Sequence, residues 1–200
     1  MGRLLLCGLL MVLAGCLTNG KRGGDAAVAI HDFGPAAARL VATRPVPLAV
    51  EVRAPLWLDA LGIDYRLAYV DASRLREYAR SRWAGPPAQL LQQRLAGQLG
   101  LLPAGQGRAA CVLRFDLGEF SQVFATPHSS RAVLQGRVQW LDRGRSVIAE
   151  REIDIAVPAV TADAAGGVAA LAAAVGQLAA NLLVWEDELT QAGRLKGCQP

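Results

Sequence analysis

The stretch RAVLQGRVQWL, DRGR, SVIAEREIDIAV, from Arg131 through Asp142–Arg145 to Val157, decides the fold. Leu134, Gly136, Val138 and Trp140 fall on one side of its first half, and Gln135, Arg137 and Gln139 on the other. Strict alternation is the period of a strand with one buried face. The second half repeats it, with Val147, Ala149, Ile153, Ile155 and Val157 on one side, interrupted only by Arg151, against Ile148, Glu150, Glu152 and Asp154. The Gly-containing turn Asp142–Arg145 joins the halves into an antiparallel hairpin. A hairpin with one apolar face needs a second layer, and the C-terminal segment offers it. After Asp163, the residues Val168, Leu171, Val175, Leu178, Leu182, Trp185 and Leu189 recur at steps of three and four, an amphipathic helix of about six turns. A coiled-coil seam is the alternative, but many alanines and no regular flanking charge pairs favour a helix lying on a sheet.

Upstream, Cys111 to Phe124 is a third long strand, and Val28–Phe33, Leu48–Arg53 and Ile63–Val70 are shorter ones. Pro86-Pro87 opens a helix with Leu91, Leu95 and Leu99 on one face, and Gly100 and Pro103 end it. A further helix is expected from Asp71 or Ser73 through Leu75 and Tyr78 to about Trp83. The expectation is one α+β domain over residues 26–200: a two-layer sandwich whose mainly antiparallel sheet carries helices packed on one face. Trp57, Trp83, Trp140 and Trp185 are expected at the core or its edge.

The N-terminus has another purpose. Met1-Gly2-Arg3, the apolar run Leu4–Leu13 and then Leu13-Ala14-Gly15-Cys16 read as a lipoprotein signal peptide over residues 1–15, the alternative being a plain signal peptide cleaved near Ala14 with Cys16 an ordinary thiol. The run is about half the ~20 residues a spanning helix needs. Cys16 becomes the lipidated first residue of the mature chain, carrying palmitate-type acyl chains, and residues 16–25 form a polar tether. Leu17 rather than Asp after the cysteine favours the outer membrane. Cys7 leaves with the signal peptide and Cys16 takes lipid, so Cys111 and Cys198 remain as a candidate disulfide in an oxidising compartment. Cys111 as a small buried core residue is the alternative.

Composition and motifs narrow the chemistry. Lys+Arg 21 against Asp+Glu 17, with no basic run, leaves no nucleic-acid stripe. His31 and His128 stand apart, without the spacing of a metal site, and no nucleophile elbow or phosphate loop occurs. Asp116 and Glu119, three apart on one strand, are expected on opposite faces and so poorly placed for joint acid-base work. His128 beside Ser129 and Ser130 is a weak hydrolase hint that reads better as a solvated turn. Neither a cofactor nor a metal is expected.

Several segments together are familiar: Asp32-Phe33-Gly34-Pro35, Pro55-Leu56-Trp57-Leu58-Asp59 leading to Tyr65–Tyr69, Tyr78–Pro87 with Ser81-Arg82-Trp83-Ala84 before Pro86-Pro87, and Leu117–Phe124. With the lipobox they resemble the ABC-type transport auxiliary lipoprotein component family, which includes the lipoproteins of paraquat-inducible-type intermembrane transport. The resemblance implies a non-enzymatic subunit on the periplasmic face of the outer membrane. Its partners would be a periplasm-spanning MCE-domain protein and, through it, an inner-membrane ABC permease and ATPase. A homo-oligomer is compatible with it. Arg82 and Trp83 are the candidate partner-binding residues. The alternative functions are a stand-alone lipid- or small-molecule-binding lipoprotein and a serine hydrolase.

Overall fold

The computed structural model describes residues 27–198, so the expected signal peptide, Cys16 and the whole tether lie outside the described residues. The described residues form eight strands: β1 (Ala29–His31), β2 (Ala49–Arg53), β3 (Gly62–Leu67), β4 (Leu75–Trp83), β5 (Leu102–Pro103), β6 (Val112–Thr126), β7 (Ser129–Leu141) and β8 (Val147–Pro158). Between them lie a single helical turn, α1 (Ala68–Asp71), and two longer helices, α2 (Pro87–Leu99) and α3 (Ala164–Gln191).

β6 is the axis of the sheet. One edge pairs antiparallel with β7, and β7 with β8. The other edge is shared: β2 runs parallel to residues 112–116 and β3 parallel to residues 122–124. β4 then joins β3 antiparallel, and β1 and β5 are short parallel strands at the margins. The sheet is therefore mixed, but its long ladders are the antiparallel ones of the hairpin.

α3 packs across β6, β7 and β8, and α2 packs on β2 and against α3. The apolar stripe read from the sequence is the buried one: Leu171, Val175 and Leu178 are fully buried, and Leu182, Trp185 and Leu189 nearly so. α3 is long and apolar enough to cross a membrane by composition alone. Its stripe instead buries Trp140, Leu134 and Ile153 of the sheet, giving one core with helices on a single face. Asp163 caps α3 by accepting the Gly166 N–H at 2.8 Å, which holds its carboxyl below the usual range. α2 stops at Gly100, which adopts φ +63°, a left-handed conformation natural to glycine.

Three expectations are corrected. The segment expected as a helix ending near Trp83 is strand β4. Asp71 does act locally, but it accepts from the Ser73 N–H at 3.0 Å and its hydroxyl at 2.6 Å, closing a turn instead of opening a helix. Strand pairing on both sides, with β3 and β1, outweighs the helix propensity of Leu, Arg, Glu and Ala. The strand expected over Ile63–Val70 ends at Leu67, where the chain makes α1.

The third correction concerns β6. Its register against β7 slips between Leu117 and Glu119, leaving Gly118 as an extra residue. A bulge inverts the alternation beyond it: Leu113, Phe115 and Leu117 are buried before it, Phe120 and Phe124 after it. Asp116 and Glu119 consequently share the face away from the helices.

Candidate functional site

The motif Ser81-Arg82-Trp83-Ala84-Gly85-Pro86-Pro87 forms the corner between sheet and helix. Trp83 is 1% exposed, its ring edge-to-face with Phe33 at 5.5 Å and tilted against Phe120 at 5.7 Å between ring centres. Its backbone N–H donates to the Leu61 carbonyl, and that of Ala84 to His31, both at 2.7 Å. Pro87 sits in the first turn of α2, where no intrahelical donor is needed, and the Ala88 N–H is taken by the Asp59 carboxylate at 3.0 Å. Arg82 points elsewhere: it is exposed and in register with Ile30 and Gly62. The structure thus separates the two candidate residues, Trp83 to the core and Arg82 to solvent.

Beside this corner the segment from Asp32 to Arg44 lies across α2 as a strap. Arg94 binds it by donating to the carbonyls of Phe33, Gly34 and Pro35. At its far end Arg44 makes a bidentate pair with Glu186 at 2.5 and 2.9 Å, and its Nε donates to Leu99 O at 2.7 Å. Between strap and helix runs an open groove of about 600 Å³ lined by Gly34, Ala36, Arg39, Gly85, Gln93 and Gln98 among others. The Gln98 Oε1 is buried there without a partner. The groove is open to solvent and lined by polar and apolar residues alike, Phe33 and Leu90 beside Gln89 and Gln93.

A second groove, about 230 Å³, separates the unpaired edge of β8 from α3 and is lined by Arg151, Ile153, Ile155, Leu182, Val184 and Trp185. The intrusion of Arg151 into an apolar face is explained here: its guanidinium lies 5.3 Å from the Trp185 ring and pairs with Glu188 at 2.6 Å. Trp57 departs from expectation. It is 54% exposed and Leu56 is 95% exposed, while Leu58 beside them is buried.

The helix-free face carries two charge clusters. Glu51 receives Arg53, Arg114 and Arg145; burial works to raise its carboxyl, and the three guanidiniums more than offset that, so it is held low. Arg145 reaches it from the hairpin turn, where it takes the left-handed φ of 67°. The other cluster is Asp64, Glu77 and Glu119. Asp64 is nearly buried, and burial first, then Glu77 and Glu119, push its carboxyl up to about 7 against the weaker pull of Arg66. Arg66 is engaged with Glu119 at 2.9 Å. Sequence reading missed this cluster, because Asp64 and Glu77 face each other only through the β3–β4 register.

The hydrolase hint does not assemble. Ser129 Oγ lies 2.8 Å from Thr126 Oγ1, and Ser130 Oγ accepts from Gln122 Nε2 at 2.7 Å. Among the described residues no hydrogen bond joins the His128 imidazole to either serine, and no group of three or more His, Cys, Asp or Glu is placed to hold a metal ion. Cys111 and Cys198 are bonded, with Cα atoms 5.3 Å apart, which fastens the 3-10 turn after α3 to the start of β6.

The described residues thus form a mixed sheet covered on one side by helices, with open grooves and a charged face left to solvent. The chain belongs to the ABC-type transport auxiliary lipoprotein component family, whose family model matches residues 32–182, from the strap to the middle of α3. The fold is also that of protein XCC0632 from Xanthomonas campestris, a DUF330 protein, at 20% identity and TM-score 0.68 over 82% of this chain and 98% of that one. An uncharacterized protein has the same fold at 19% identity and TM-score 0.61, over 78% and 96% of the two chains. No curated protein matches the chain.

Proposed function

We propose that this transport-associated lipoprotein is anchored to the periplasmic face of the outer membrane by acylated Cys16. There it serves an ABC/MCE-type intermembrane lipid transport system as a docking subunit without catalysis. The observation that carries the reading is the family match over residues 32–182, which takes in β2 to β8, α2 and the first two-thirds of α3. The open groove beside the strap and the exposed Arg82 supply the surfaces such a subunit needs, while Trp83 holds the corner that presents Arg82. The partner is an MCE-domain protein that crosses the periplasm and links to an inner-membrane permease and ATPase.

The acylated protein should recover an MCE-domain protein in pull-down. Arg82→Ala should weaken that recovery while shifting stability by no more than about 0.5 kcal/mol, as expected for an exposed side chain. Recovery of peptidoglycan enzymes alone would refute the transport reading, and a large loss of stability would assign Arg82 to the scaffold. A palmitate analogue should label the wild type and not Cys16→Ala.

A further inference from the structure

The loop between β2 and β3 is built in an unusual way for a soluble surface. Its backbone is closed by the Leu58 and Asp59 N–H groups donating to Pro55 O at 2.9 and 3.1 Å. Leu58, 1% exposed, roots the turn in the core, and Asp59 ties it to the first turn of α2. The loop is therefore held from both sides, yet its tip presents Leu56 and Trp57 at 95% and 54% exposure, followed by Leu61 at 44%. Apolar side chains on a fixed turn cannot fold back into the core behind them.

The same end of the sheet carries more exposed apolar surface. The Trp83 N–H binds Leu61 O, and Arg82 is in register with Gly62 on one side and Ile30 on the other. Strands lie about 4.8 Å apart, so Ile30 of β1 is about 10 Å from the Leu61–Gly62 step. Ile30 is 62% exposed and Val28, just before β1, is 43% exposed. Single exposed leucines need no explanation, but several at one end of a domain mark a contact surface.

Chain length says what covers it. Only ten residues, 17–26, separate Cys16 from Ala27, and ten residues reach at most about 35 Å. β1 is the first described element after them, so a lipid on Cys16 leaves this end of the sheet the shortest path to the bilayer, within about 35 Å of it. A tryptophan beside a leucine on a rooted turn is the side-chain pair that settles at the boundary between headgroups and acyl chains.

We propose that the Pro55–Leu61 loop, with Leu56 and Trp57 at its tip and Val28 and Ile30 beside it, is a second, non-covalent contact with the phospholipid leaflet that holds the anchor. The proposal rests on acylation of Cys16. It orients the domain: the β1 end of the sheet lies on the lipid.

The tryptophans themselves supply the probe. Trp83, Trp140 and Trp185 are 0–3% exposed, so Trp57 is the one of the four that a lipid-borne quencher can touch. Full-length acylated protein is incorporated into phosphatidylethanolamine–phosphatidylglycerol vesicles in which part of the lipid carries acyl-chain bromines. Flotation reads the anchor and tryptophan emission reads the loop. The expected result is flotation with loss of roughly a quarter of the emission, the share of one tryptophan in four. Trp57→Phe should remove that loss, and Leu56→Asp should at least halve it while the protein still floats. Flotation without quenching, or quenching that survives Trp57→Phe, overturns the loop contact and leaves the anchor standing. Failure of the acylated wild type to float overturns the anchor, and the loop contact with it.

Discussion

Replacing Asp64 by Asn should stabilise this domain at alkaline pH and do little in acid. Asp64 is 6% exposed, faces Glu77 across the β3–β4 ladder and has Glu119 on the neighbouring strand, and its carboxyl is raised from 3.8 to about 7. A native carboxyl with a raised pKa holds its proton more tightly than the unfolded chain does. Between about pH 4 and pH 7 the folded state therefore binds more protons, and stability falls as pH rises. The favourable contribution is complete below about pH 4 and gone above about pH 7. Three units at 1.36 kcal/mol each set a ceiling of about 4 kcal/mol, and relaxation with water penetration brings a realistic figure to about 2 kcal/mol.

Asn keeps the shape and never ionises. With a urea m-value of about 2 kcal/mol/M, the variant's midpoint should exceed the wild type's by roughly 1 M at about pH 8.5, and the two should converge near pH 4.5. Urea titrations of both proteins across that range are the assay. A gap of equal size at both ends would mean that Asn changes packing or hydrogen bonding and that Asp64 is not the titrating group. A variant that is weaker at high pH would reverse the sign and refute the reasoning altogether.

Three further outcomes follow from the geometry. Replacing Cys111 and Cys198 by Ser should cost up to about 4–5 kcal/mol, from the loop entropy of an 87-residue separation; two freely alkylated thiols in the non-reduced wild type would remove the premise. Gly136→Ala should cost about 1–3 kcal/mol in a melting experiment, because its Cβ would stand 2.3 Å from Asp116 O and 2.7 Å from Phe115 Cε2, whereas Gly118→Ala, with 3.6 Å to its nearest atom, should be far milder. Arg44→Ala should cost about 3 kcal/mol by stranding Glu186 in a site only 16% exposed, and an apolar pair at both positions should recover most of it.

How much of this was legible depended on whether one face of an element was wholly buried. β7 and α3 each bury most of an apolar row, and β8 buries Ala149, Ile153 and Ile155, so period alone identified them. Val147, expected on the same face of β8, is instead 52% exposed, because the register slips between Trp140 and Leu141. β4 was misread because it lies next to the sheet margin and buries only Trp83 fully, which left its helix-forming composition as the stronger local signal. The Asp116–Glu119 relation was misjudged because one extra residue, Gly118, reverses every face beyond it, and a bulge has no periodic signature. The Asp64 cluster draws on three strands, and Trp57 is exposed because Leu58 next to it takes the core position; both are facts of tertiary register.

The most recognisable motif, Ser81–Pro87, is spent on architecture. Trp83 fills the space between Phe33 and Phe120, Pro87 begins α2, and Ala88 is capped from the loop that carries Leu56 and Trp57. Arg82 and the small Ala84 are the exposed residues of that motif, and of the two only Arg82 carries a polar side chain. A resemblance carried by such residues reports the fold, since any chain making this corner needs a large aromatic under it and a proline at the helix start. On the proposed function, partner choice resides in the strap groove and the Arg82 surface, while the loop tip is given to the membrane. The same Asp59 that caps α2 also fixes that tip, so a change at Asp59 would disturb helix and loop together, whereas Arg82, Leu56 and Trp57 can each be altered without touching the core. The proposed docking and membrane contacts are therefore separable from the fold at those three side chains, and they are where both proposals stand or fall.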